Sequence, residues 1–135
     1  MSIPVDLAAL QSRIDEYGYR GYLLTVGPDG RPHSVGVGVR WEDELLVTAP
    51  GNTTVANAGA RPLVALLWPP AEAGGYSLIV DAEVVAAIGG GEGGNSVTLR
   101  PTKAVLHRPA EDLAPGQSMR PGCTSDCMPI FRQVS

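Results

Sequence analysis

Ser34-Val35-Gly36-Val37-Gly38-Val39 alternates strictly at period two, and this stretch decides the fold class. Successive side chains of an extended strand point to opposite faces, so the three valines share one face and Ser34, Gly36 and Gly38 the other. One face is built to pack and the other is bare. Just upstream, Gly21-Tyr22-Leu23-Leu24-Thr25-Val26-Gly27 reads as a strand, and Pro28-Asp29-Gly30-Arg31-Pro32 supplies the turn chemistry that makes the two a hairpin. Downstream, the polar turn Trp41-Glu42-Asp43-Glu44 leads into Leu45-Leu46-Val47-Thr48, the third strand of an antiparallel meander.

Further out, Leu7, Leu10, Ile14 and Tyr17 recur at helical spacing, with Asp6 as the expected N-cap and Gly18 as the stop. After the meander, Pro50-Gly51 breaks the sheet. Asn52 is then the expected N-cap of a short helix over Thr53 to Ala60, ended by Arg61-Pro62. Leu63 to Trp68 is a continuous apolar strand stopped by Pro69-Pro70, and Ser77 to Ile88 and Ser96 to His107 are two longer strands joined by a run of glycines with Glu92. The expectation is a mainly β chain: six antiparallel strands in a closed or nearly closed barrel, one N-terminal helix, and one short helix between the third and fourth strands.

Composition narrows the class. The 135 residues suit one domain, expected to span 1–135, with its core over about 5–109 and an irregular tail over 110–135, where Pro115, Pro121 and Pro129 fall. Seventeen glycines and twelve prolines favour turns and strands over long helices. A net charge of -4 argues against a nucleic-acid surface, which draws on clustered cations. No apolar run is long enough to cross a bilayer as a helix and the first residues lack a leader pattern, so the expectation is a cytoplasmic protein with no membrane partner.

Chemistry-bearing residues are few. Cys123 and Cys127, four apart, make neither a disulfide framework nor a zinc pattern, and no metal site is expected from them with His33 and His107. No Gly-x-Ser-x-Gly, P-loop or His-Glu-x-x-His occurs. Trp68 reads as a core aromatic and Trp41 as a candidate pocket wall. Gly36 and Gly38 read first as relief of strand curvature or bulges, and second as a floor that a planar ring can approach.

The succession Asp29-Gly30-Arg31-Pro32-His33-Ser34-Val35, Leu46-Val47-Thr48 and the stretch from Asn52 to Leu66 resembles the pyridoxamine 5'-phosphate oxidase-like split barrels, including the deazaflavin (F420)-dependent reductases of that superfamily. The resemblance spans roughly residues 5 to 109. It implies a split β-barrel that binds FMN or F420 between the two subunits of a homodimer and passes hydride to a small-molecule substrate, with no side-chain nucleophile. The Lys-poor, Gly- and Arg-rich composition inclines it towards F420.

As cofactor-binding residues the resemblance implies Arg40, Thr48, Asn52, Thr53, Thr54 and Asn57, with Thr48 closing the third strand and Asn52, Thr53 and Thr54 opening the short helix. A helix start offers unpaired N–H groups and partial positive charge, and threonine hydroxyls add donors. The basic pair that often follows in such proteins is absent here, which leaves Arg40 as the expected cation. The alternative is a non-catalytic split barrel that has lost its phosphate anchors and serves as a binding or scaffold protein.

Overall fold

In the computed structural model, which describes residues 1–91 and 93–110, apolar alternation becomes a wall. The strands are β1 (Ser2–Val5), β2 (Arg20–Val26), β3 (Pro32–Glu42), β4 (Leu45–Thr48), β5 (Leu63–Trp68), β6 (Ser77–Ile88) and β7 (Ser96–His107), and the helices are α1 (Leu10–Tyr17) and α2 (Asn52–Ala60). Neighbouring strands run in the order β1-β7-β4-β3-β2-β5-β6, and β6 also pairs with β7. That last pairing closes β2 to β7 into the expected six-stranded antiparallel barrel.

Alternating positions fill it. Leu23, Val37, Val39, Leu46, Val64, Leu66, Leu78, Val80, Val97 and Leu99 are buried in one cluster. Leu10 and Ile14 of α1 join this cluster, as do Val55 and Ala58 of α2. Trp68 lies almost wholly inside, with its Nε1–H donating to the Gly18 carbonyl at 2.9 Å, so the core assignment for this indole holds. Among the described residues no helix is long and apolar enough to cross a membrane.

Four features depart from the sequence expectations. The seventh strand, β1, pairs Ser2–Val5 with Ala104–His107 along the outer edge of β7, a place that tolerates Pro4. A 3-10 turn over Leu7–Ala9 precedes α1, and Asp6 makes no side-chain cap, leaving Leu7 44% exposed. Gly51, not Asn52, holds the cap position of α2, because Asn52 has already turned helical and its side chain is engaged elsewhere. Finally, Gly36 and Gly38 mark no bulge: the β2–β3 register runs unbroken from Arg20 opposite Gly38 to Val26 opposite Pro32.

The bulges lie between β6 and β7. Asp81 faces Lys103 and Ala82 faces Pro101, so Thr102 is the extra residue, and its Oγ1 donates to the Asp81 carbonyl at 3.2 Å. The extra residue switches which face of β7 is buried, from Val97 and Leu99 to Ala104 and Leu106. Along its other edge β7 pairs with β4 over residues 97–99 and with β1 over 104–107. Among the described residues no strand lies beside residues 100–103 there, which leaves a short seam in the strand pairing.

Candidate functional site

A cleft of about 410 Å³ opens at one end of the barrel. Gly38, Val39 and Arg40 of β3 form one side, Val47, Thr48 and Ala49 the floor, and Gly93, Asn95 and Ser96 the opposite wall. The β4 register explains this meeting, since Thr48 stands opposite Val39 on one side and Val97 on the other.

Thr48 is 3% exposed, and its Oγ1 has no hydrogen-bond partner among the described residues. An unpaired buried hydroxyl carries a desolvation cost that a hydrogen-bond partner would offset. The chain then turns through Pro50 and Gly51 into α2, whose cap residue offers no side chain to the first helical N–H groups and whose first turn has no acidic residue. Electrostatically this end of the helix favours an anion.

Asn95 fixes the far wall. Its Nδ2 donates to Pro50 O and to Asn52 Oδ1, both at 2.9 Å, while its Oδ1 accepts from Gly90 N–H at 2.9 Å. One side chain thus ties the glycine loop to the start of α2. Gly90 and Gly91 have φ of 72° and 75°, which explains glycine at these positions. The sequence offered little to reveal Asn95 or Ser96 as cleft residues beyond an asparagine ending a glycine run.

The six expected cofactor residues divide. Arg40 and Thr48 line the cleft, and Asn52 borders it through Asn95. Thr53 is exposed on the first turn of α2. Thr54 and Asn57 point inward, at 2% and 3% exposure. Asn57 Nδ2 donates to Thr25 Oγ1 at 3.2 Å, and its Oδ1 accepts from Arg61 Nη2 at 3.4 Å, which ties α2 to β2 and to the chain leaving the helix. Arg40 is not free: Nη2 meets Glu42 Oε2 at 2.6 Å.

The bare strip of β3 is overhung from β2. Tyr22 Cε1 lies 3.9 Å from where a Cβ on Gly36 would stand, and Arg20 Nη1 lies 3.6 Å from the equivalent point on Gly38. Trp41 lies elsewhere: with Leu7, Leu10, Leu45 and Arg100 it lines a second cleft, of about 730 Å³, beside the 3-10 turn. Among the described residues no three His, Cys, Asp or Glu side chains come together to hold a metal ion, and Cys123 and Cys127 lie outside those residues.

No family model matches the chain. Two curated relatives do, the uncharacterized proteins Mb0449c of Mycobacterium bovis and MT0457 of Mycobacterium tuberculosis, each 32% identical over 92% of this chain and 93% of its own. Among solved structures, an F420 reductase superposes with a TM-score of 0.52 at 21% identity, covering 64% of this chain and 88% of its own. An FMN-binding protein from Syntrophomonas wolfei gives 0.60 at 15% identity, covering 78% and 88%. A Clostridium acetobutylicum protein of the pyridoxinephosphate oxidase family gives 0.54 at 11% identity, covering 77% and 91%.

The chain belongs to one family with the two mycobacterial proteins, and it has the split-barrel fold of these solved structures. Within this split barrel the cleft at Thr48 joins the end of β4, the start of α2 and the glycine loop.

Proposed function

We propose that this split barrel binds the phosphate end of FMN or F420 in the Thr48 cleft, at a homodimer interface, and serves as an oxidoreductase for a small organic substrate. The observation that carries the reading is that Thr48, whose buried hydroxyl has no partner among the described residues, lines the cleft next to a helix start without a capping side chain. Thr48 Oγ would donate to a phosphate oxygen, the first-turn N–H groups of α2 would face the same anion, and Arg40 would reach it after leaving Glu42. Asn95 holds the glycine wall in place against α2. Once bound, the flavin or deazaflavin ring supplies the hydride chemistry, while the protein binds, orients and shields it. The remaining roles expected from the sequence are ordered by exposure: Thr53 faces outward where a ligand can meet it, whereas Thr54 and Asn57 act from behind by holding α2.

The test is a fluorescence titration with FMN and with F420, repeated on Thr48→Val. Micromolar binding of either, weakened at least tenfold by the valine, supports the reading and chooses the cofactor. Absence of binding for both retires it. One observation favours the second reading, a non-catalytic barrel: among the described residues the one arginine lining the cleft is already neutralised by Glu42, and α2 carries no Lys or Arg between Asn52 and Ala60.

A further inference from the structure

A phosphate is held chiefly by charge-assisted bonds, so the cleft needs a cation that is available. Arg40 lines the cleft but is bonded to Glu42, two residues along the same face of β3, at 2.6 Å. A ligand that recruits Arg40 must first part this pair. An exposed ion pair of this kind holds with up to about fivefold in equilibrium terms, and the Glu42 charge left behind then repels the incoming anion.

Arg20 is placed differently. It opens β2, directly opposite Gly38 in the register, and its guanidinium lies across the bare Gly38 backbone, with Nη1 3.6 Å from where a Cβ would stand. Gly38 is itself part of the cleft wall. Among the described residues Arg20 forms no ion pair, the pairs present being Arg13 with Glu16, Arg31 with Asp29 and Arg40 with Glu42. The missing side chain at residue 38 therefore has a use that neither a bulge nor a ring platform describes: it lets an arginine from the neighbouring strand lie over the rim of the cleft.

We infer that Arg20 is the principal anion-binding cation of this cleft, and that Glu42 is an internal counter-ion that withholds Arg40. The ligand class is a phosphate monoester or diphosphate, whose several oxygens can meet the Arg20 guanidinium at the Gly38 rim of the cleft. This inference rests on the proposed cleft while assigning residues the family resemblance does not.

Calorimetric titration with inorganic pyrophosphate at low ionic strength tests it, on the wild type, Arg20→Gln, Arg40→Gln, Glu42→Gln and the Arg40→Gln/Glu42→Gln double variant. All three side chains are exposed, and thermal unfolding verifies that each variant folds. Arg20→Gln weakens binding about tenfold or more, and Arg40→Gln weakens it less than about threefold. Glu42→Gln strengthens binding about fivefold, a gain that the double variant loses. Arg40→Gln weakening more than Arg20→Gln, Glu42→Gln without effect, or no pyrophosphate binding to the wild type overturns the inference. Parallel titrations with FMN and F420 separate the two ideas. Pyrophosphate binding in the expected pattern without either cofactor supports the cation assignment and retires the flavin reading. Cofactor binding indifferent to Arg20→Gln overturns the assignment and leaves the flavin reading standing.

Discussion

Trp68 occupies the space that a side chain on residue 21 would need: a Cβ built on Gly21 lies 2.9 Å from Trp68 Cε2 and 3.1 Å from the Leu67 carbonyl oxygen. Neither neighbour can retreat easily, since the indole is buried and its N–H is bonded to Gly18. Gly21→Ala is expected to destabilise the fold by about 1–3 kcal/mol, the usual cost of overpacking a core. Gly36→Ala, where among the described residues only Tyr22 Cε1 comes within 3.9 Å, is expected to stay within about 0.5 kcal/mol of wild type. Urea unfolding of the pair measures the difference, and equal midpoints would refute it.

Thr48 separates stability from binding. Because its buried Oγ1 has no partner among the described residues, Thr48→Val removes a polar group that the described fold does not use. Unfolding free energy should stay level or rise by up to about 1–2 kcal/mol, while affinity for FMN or F420 falls. A valine variant clearly less stable than wild type would mean the hydroxyl is satisfied within the protein.

Asn57 should show the opposite pattern. It joins Thr25, itself 1% exposed, to Arg61, and Arg61 Nε also donates to the Val26 carbonyl. Asn57→Leu leaves the Thr25 hydroxyl without its donor, and a loss of about 2–3 kcal/mol is expected by denaturant unfolding. An unchanged midpoint would remove the role assigned to this network.

Tyr17 makes stability depend on alkaline pH. Burial pushes its phenol above the ordinary 10.0, and its hydroxyl donates to the Tyr76 carbonyl at 2.7 Å, a bond the phenolate cannot make. With the folded-state value raised, the contribution is intact below pH 10 and is lost as pH rises through the folded-state value. Stability measured from pH 9 upward should therefore fall more steeply for wild type than for Tyr17→Phe. Tyr19, raised chiefly by its hydrogen bond to Asp15, adds a slope common to both proteins.

Much of the barrel was legible because its strands are apolar runs or alternating stretches bounded by turn residues and prolines. The bounds expected for Leu45–Thr48, Leu63–Trp68, Ser77–Ile88 and Ser96–His107 are those observed. Ser2–Val5 escaped because four residues with a proline carry no period, and their pairing depends on β7 a hundred residues away. The bulge at Thr102 was hidden for a related reason: a one-residue offset between two strands is a property of the pair, and Ser96 to His107 alone reads as one run. At the site, the family resemblance pointed to Thr48 and Arg40, which do line one cleft. It did not reveal that Glu42 engages Arg40, that Asn95 closes the wall, or that Arg20 crosses Gly38, because each relationship is set by rotamer or cross-strand register.

The seam in β7 bears on how the protein behaves in a crowded solution. Where a sheet edge lies open, a strand from another molecule can dock and begin an aggregate. Between Arg100 and Lys103 the intruder would meet two exposed cations, a proline with no N–H to offer, and a bulge that spoils the pleat. Among the described residues, closing the circle leaves this gap in the pairing of β7, and the gap carries its own defence.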